Sequence, residues 1–162
     1  MSIIDRYLEA NVRYAATFDQ EDLAVRPAAR LAVLTCMDSR VDPLRMLGLA
    51  LGDAHVVRNA GGRASDDAIR SLLLSSRVLG TVEVAVIHHN DCGLEGQTDE
   101  SLRERLATEH GVDASGVAFL PFGDLAESVR EDVARIRSSP LLDMAVTGWT
   151  YDVRTGRLDR VV

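Results

Sequence analysis

Two short apolar runs, each breaking off into a cluster of polar and sulfur-bearing residues, limit most tightly what this chain can fold into. Residues 30–35 end at Cys36-Met37-Asp38-Ser39-Arg40, and residues 82–87 end at His88-His89-Asn90-Asp91-Cys92-Gly93. A brief apolar run of this kind reads as a strand covered on both faces, the usual position of a strand in a parallel sheet. Residues 54–58 form a further short strand that runs into Asn59-Ala60-Gly61-Gly62. Helix signals fill the gaps. Asp42-Pro43 supplies an N-cap and a first helical residue, with a stop near Gly48. Ser65-Asp66-Asp67 opens an amphipathic helix carrying Ile69, Leu72, Leu73 and Leu79, and Gly80 closes it. Residues 98–109 and 124–137 read as two more helices, the second with Leu125, Val129, Val133 and Ile136 on one face.

Residues 2–17 carry Ile3, Ile4, Tyr7, Leu8, Val12 and Tyr14 at roughly helical spacing and are expected to form an N-terminal packing helix. Residues 18–30 read as a connector, residues 117–120 as a fourth strand, and residues 144–150 and 158–162 as a β-hairpin around Asp152-Val153-Arg154-Thr155-Gly156. Strands that alternate with helices imply an α/β fold with a mainly parallel sheet and helices on both faces. At 162 residues, 46% of them apolar, the chain is long enough for one core and too short for two ordinary ones. The expected organisation is one domain over residues 1–162, with its core in residues 30–162.

The net charge of −7 argues against nucleic acid and anionic membrane surfaces, both of which call for a basic face. No apolar stretch approaches the roughly 20 residues needed to span a bilayer. The first six residues hold Asp5 and Arg6 and do not resemble a secretion signal. A cytoplasmic location is therefore expected. In such a reducing compartment the two cysteines are ligands or free thiols rather than a disulfide.

In open parallel sheets, sites form beyond the carboxyl ends of the strands. Cys36 follows one strand, and His89 and Cys92 follow another. If those strands are neighbours, Cys36, His89 and Cys92 converge as the protein ligands of one zinc ion. Two cysteines and a histidine with an open position form a catalytic zinc arrangement, whereas a structural zinc takes a fourth Cys or His. Asp38 lies within reach of that open position, and Arg40 offers a planar fork for its carboxylate. Two states follow from this. In one, Asp38 pairs with Arg40 and the metal carries water or hydroxide. In the other, favoured at low pH, Asp38 displaces the water. Taken singly, each piece has a plainer reading. A cysteine after a strand is a small core residue, Asp38 and Arg40 are a solvated ion pair, and the 59–62 segment is a turn that uses glycine. His88 points away from His89 and reads as a packing residue.

Together these residues resemble the β-class carbonic anhydrases. The match runs through Cys36-x-Asp38-x-Arg40, Arg58-Asn59-Ala60-Gly61-Gly62, Asp66-Asp67-x-Ile69-Arg70-Ser71-Leu72 and His89-x-x-Cys92-Gly93. The chain looks most like the short bacterial and archaeal members. The resemblance implies one Zn2+ per chain, held by Cys36, His89 and Cys92. It implies reversible hydration of CO2 to bicarbonate and a proton by attack of zinc-bound hydroxide. Asp38 and Arg40 would be the catalytic dyad, with Asp38 a fourth ligand in an inactive state. Gly61, Gly62 and Asn59 would line the substrate pocket. It further implies a four-stranded parallel sheet plus an added C-terminal strand, and a homodimer or homotetramer with its sites near the dimer interface. Many members place a glutamine before the first cysteine, where it bonds substrate. Here the only upstream glutamine is Gln20, and residues 25–29 offer no replacement. Two other readings share the motifs. One is a hydrolase of carbonyl sulfide or carbon disulfide on the same scaffold. The other is a non-catalytic zinc- or bicarbonate-binding protein.

Overall fold

The computed structural model of the protein describes residues 2–162. Five strands form one sheet: β1 (Leu31–Cys36), β2 (Ala54–Asn59), β3 (Glu83–His89), β4 (Ala145–Tyr151) and β5 (Leu158–Arg160). Their order across the sheet is β2-β1-β3-β4-β5. β1 pairs in parallel with both β2 and β3, β3 pairs in parallel with β4, and β5 returns antiparallel along β4. The expected α/β architecture is thus present, with four parallel strands and an added C-terminal one. Leaving β1, the chain goes first to one side of it and later to the other. That opens a crevice at the carboxyl ends of β1 and β3, the place where doubly wound sheets bind ligands.

Alternation along the strands divides the core in two. Ala32, Leu34, Val84, Val86 and Val146 face α3 (Asp66–Arg77) and α5 (Leu125–Ser138), meeting Ala68, Leu72, Val129, Val133 and Ile136. Val33, Ala85 and Ile87 face the other way, under Met46 and Leu47 of the short α2 (Pro43–Leu47), with Trp149 and Leu158 beside them. This second face is thinly covered, and a cavity of about 270 Å³ opens among Leu31, Leu47, Ile87, Trp149 and Leu158. Helix ends follow the side-chain chemistry. Asp42, Ser65, Thr98 and Asp124 each accept a backbone N–H in the first turn of α2, α3, α4 (Asp99–His110) and α5, respectively.

Two expectations change. Residues 117–120 are not a strand. Leu120 takes a left-handed φ of 58°, and the Phe119 amide donates to Asp99 Oδ1 at 2.9 Å instead of to a ladder partner. The place beside β3 goes to residues 145–151, the first arm of the hairpin. In α1 (Asp5–Ala16) no residue is buried, and Ile3, Ile4, Tyr7, Leu8, Val12 and Tyr14 all lie exposed. The helix is there, but among the described residues nothing buries its apolar face.

Gly148 on β4 lets α5 sit against the sheet: a Cβ there would stand 2.6 Å from Val129 Cγ1 and 2.9 Å from Val133 Cγ2. Both partners are buried and β-branched, so neither can yield easily. Gly148→Ala is therefore expected to lower stability by about 1–3 kcal/mol in equilibrium urea unfolding. A stability equal to that of the parent would mean that α5 shifts freely on the sheet.

Candidate metal centre

β1 and β3 are neighbours in a register that pairs Thr35 with Ile87. Their last residues therefore leave the sheet side by side at the crevice. Thr35 Oγ1 donates to the Ile87 carbonyl at 2.8 Å and pins the two strands just below it. Cys92 follows after the tight turn at Asp91, a residue with left-handed φ of 55°. One ligand atom each from Cys36, His89 and Cys92 lies within 4.8 Å of the others, and all three residues are buried.

The donor set fits zinc on three counts. Cys36 Sγ and Cys92 Sγ stand 4.0 Å apart, against about 3.8 Å for two thiolates on one tetrahedral zinc with bonds of about 2.3 Å. His89 Nδ1 lies 2.8 Å from the Asn90 carbonyl, so it carries the ring proton and leaves the Nε2 lone pair free. His89 Nε2 is buried and has no hydrogen-bond partner, a costly state that a metal ion relieves.

The electrostatics point the same way. The Cys92 thiol donating to Cys36 pulls the Cys36 pKa down, with the His89 ring and the Asp38 and Gly61 backbone assisting against burial. The Cys92 pKa rises, since two sulfurs this close resist double ionisation and burial adds to the penalty. A divalent cation between them removes that penalty. Burial is the largest single influence on His89 and disfavours its charge. The Cys36 sulfur, the Asn90 carbonyl and the Asp38 charge nevertheless outweigh it and raise the pKa. The anions that would hold a proton at Nε2 hold a metal cation there equally well.

Asp38 and Arg40 form the expected pair. Arg40 gives its Nε to Asp38 Oδ1 at 3.0 Å, its Nη2 to Oδ2 at 2.8 Å and its backbone N–H to Oδ1 at 2.8 Å. The guanidinium thereby holds the Asp38 carboxyl far below the usual carboxylate range. Asp38 Oδ2 is 3.8 Å from His89 Nε2, beside the centre but committed to Arg40. A second anchor on Arg40 has no signal in the local sequence pattern. Its Nη1 meets Asp91 Oδ2 at 2.6 Å and its Nη2 meets the Asp91 carbonyl at 2.8 Å. Arg58, the first residue of the Arg58-Asn59-Ala60-Gly61-Gly62 motif, staples the loop after β1, donating to the carbonyls of Cys36 at 3.1 Å and Asp38 at 2.7 Å.

A cavity of about 320 Å³ adjoins the cluster, lined by Cys36, Met37, Asp38, Ala60, Gly61, Cys92, Gly93 and Leu94. The three candidate pocket residues take different positions. Gly61 lines this cavity. Gly62 lies behind it, against the backbone of Thr35 and Cys36. Asn59 turns its amide to the Arg63 carbonyl and Ser65 Oγ, at 2.7 and 3.3 Å, and borders a separate cavity.

Residues 31–115 match the carbonic anhydrase family. The chain is 39% identical over 165 residues to β-carbonic anhydrase 1 of Mycobacterium tuberculosis, covering 99% of each. It superimposes on the crystal structure of a carbonic anhydrase from Streptococcus mutans with a TM-score of 0.95 and 48% identity, covering 100% of this chain and 99% of that one. It is also 36% identical over 155 residues to a carbon disulfide hydrolase of an Acidianus species, covering 80% of this chain and 76% of the relative.

Elemental analysis of the purified protein is expected to find one zinc per chain, and Cys92→Ala to retain less than about a tenth of it. A Cys92→Ala protein that keeps its full zinc would remove Cys92 from the ligand set.

Proposed function

The chain belongs to the β-class carbonic anhydrases, and from that premise we propose that it catalyses the zinc-dependent reversible hydration of CO2 to bicarbonate and a proton. The observation that carries this reading is the convergence of Cys36, His89 and Cys92 next to a cavity that also holds Asp38. A zinc ion held by these three ligands supplies a water acidic enough to act as a nucleophile near neutral pH.

The remaining work falls to the chain. Asp38 is the proposed hydrogen-bond acceptor for the attacking water. Its carboxylate is ionised at neutral pH because Arg40 holds it so, and an ionised carboxylate orients a water by accepting its proton in a hydrogen bond. Arg40 also keeps both Asp38 oxygens occupied, which restrains the carboxylate from taking the ligand position itself. Asp91 holds the far side of Arg40, so the guanidinium does not swing with its partner. Ala60, Gly61, Gly93 and Leu94 give the cavity a mainly apolar wall, suited to an uncharged, linear substrate that carries no hydrogen-bond donor. Bicarbonate is charged and well hydrated and leaves such a wall readily.

The proposal extends to assembly as a homodimer or homotetramer. The support is α1, whose Tyr7, Leu8, Val12 and Tyr14 stand exposed together with the flanking Ile3 and Ile4, a cluster of the kind that marks contact surfaces between chains. A cytoplasmic location belongs to the same reading: Cys36 and Cys92 serve as ligands only as thiolates, and a reducing compartment keeps them so.

Stopped-flow CO2 hydration by zinc-loaded protein tests the function. The rate is expected to rise from pH about 7 to about 9 as the nucleophile forms, since Asp38 titrates far below that window. Asp38→Ala is expected to lower kcat by about 10- to 100-fold, and an unchanged rate would remove Asp38 from the chemistry. Zinc-loaded protein that turns over carbon disulfide but not CO2 would overturn the assignment. For the assembly, Leu8→Glu with Val12→Glu is expected to lower the mass found by size exclusion with light scattering. A parent protein that already runs as a monomer would end that part of the proposal.

A further inference from the structure

Beneath the metal centre lies a polar network that the reaction, as derived so far, does not use. His88 is fully buried between the sheet and α5. Its Nδ1 is 2.7 Å from Ser128 Oγ, and its Nε2 is 3.2 Å from the Gly62 carbonyl oxygen. Asp132 Oδ2, one turn beyond Ser128 on α5, is 3.2 Å from the same Nε2 and 3.1 Å from Arg63 Nε. Arg63 continues to Glu131 Oε2 at 2.9 Å and lies over the Phe122 ring. His88, Asp132 and Arg63 expose 0%, 3% and 7% of their surface. Burying such groups is a poor route to stability, because apolar residues of similar volume often do as well. What they hold in place is a better account of them.

The two groups facing Nε2, a carbonyl and a carboxylate, are both acceptors, so Nε2 carries a proton. That N–H is aimed at Gly62, since Asp132 Oδ2 receives no directed hydrogen bond and acts through charge alone. Gly62, at φ +70°, is wedged against the first ligand: a Cβ there would stand 2.8 Å from the Cys36 N and 2.9 Å from the Thr35 carbonyl carbon. Its neighbour Gly61 lines the cavity together with Cys36. His88 is itself the residue before the ligand His89. One imidazole thus ties together three parts: α5, the glycine segment behind Cys36, and the strand end that carries His89.

We propose that His88, backed by Asp132, is a positioning residue of the metal centre, and that its Nε2–H bond to the Gly62 carbonyl sets the Gly61-Gly62 segment against the Cys36 sulfur. The inference rests on the reading of Cys36, His89 and Cys92 as the zinc ligands. Groups that orient first ligands in this way typically change metal affinity by about 10- to 100-fold when removed.

Cobalt-loaded protein provides the test, because the thiolate-to-cobalt charge-transfer bands report the sulfur environment without reference to turnover. His88→Gln keeps an amide N–H near the place of Nε2, and His88→Asn keeps one near the place of Nδ1. Both lose the ring, so both share its packing cost. His88→Gln is expected to keep the parent spectrum and a metal affinity within about threefold of the parent, and His88→Asn to shift the bands and weaken affinity by about 10- to 100-fold. Ser128→Ala, which removes the Nδ1 partner and spares Gly62, is expected to leave the spectrum unchanged. Identical behaviour of the two His88 variants, whether both altered or both unaltered, would overturn the proposal. If neither variant folds, Asp132→Asn decides: a shifted spectrum supports the network and an unshifted one rejects it. A parent protein without thiolate-to-cobalt bands would reject the zinc-site reading itself, a result distinct from any contrast between the variants.

Discussion

The parallel register between β1 and β3 is the constraint on which the rest of this molecule depends. It runs from Leu31 opposite Glu83 to Thr35 opposite Ile87, and it delivers Cys36 and His89 to one edge of the sheet, with His89 one position beyond the residue that continues the register opposite Cys36. A slip of one residue would turn every side chain of a strand to the other face. Leu34 and Val86 would then leave the α3 and α5 face, and the sulfur and imidazole would no longer converge. The burial of both strands makes such a slip costly, since Ala32, Val33, Leu34, Val84 and Val86 have no exposed surface at all. The geometry of the site is therefore secured by hydrophobic packing well below it.

Around that geometry, charge is arranged so that each anion has an assigned partner. Asp38 and Asp91 share Arg40, and Arg58 ties the carbonyls of Cys36 and Asp38 to β2. Two sulfurs and an unpartnered imidazole nitrogen remain, and these suit a divalent cation. In a chain with a net charge of −7, the attraction of such a centre for a cation comes from the nearest atoms, since charges beyond about 10 Å are largely screened at ordinary ionic strength.

The glycine-bearing segment after β2 shows how closely backbone and site are coupled. Gly61 and Gly62 both take φ near +70°, a region that residues with a side chain enter only at a cost. Gly62 has a second reason to be glycine, because its α-carbon approaches the Cys36 backbone too closely for a methyl group. A polar layer of His88, Asp132, Ser128 and Arg63 stands behind that segment.

Much of this was legible in one dimension, for identifiable reasons. Apolar runs end where strands end, caps such as Asp42, Ser65 and Asp124 mark helix starts by local hydrogen bonding, and ligands that follow strands must lie at a sheet edge. The zinc ligands and the Asp38 and Arg40 pair follow from that logic together with the spacing of the motifs. The failures are equally physical. Residues 117–120 have the composition of a strand, but strand pairing is a contest for a place in the sheet, and residues 145–151 take it. α1 has an amphipathic pattern, which tells that a face will be covered but not by what. His88 reads as packing from the sequence because its side chain points away from that of His89. Its partners Ser128 and Asp132 lie 40 and more positions away, and no local pattern reveals them. By itself, then, the sequence determined most of the elements and the candidate ligands, since these depend on residue type and on neighbours within a few positions. Only the tertiary structure decided which strand adjoins β3, which glycine faces the cavity, and what stands behind the metal ligands, since these depend on contacts between residues far apart in the chain.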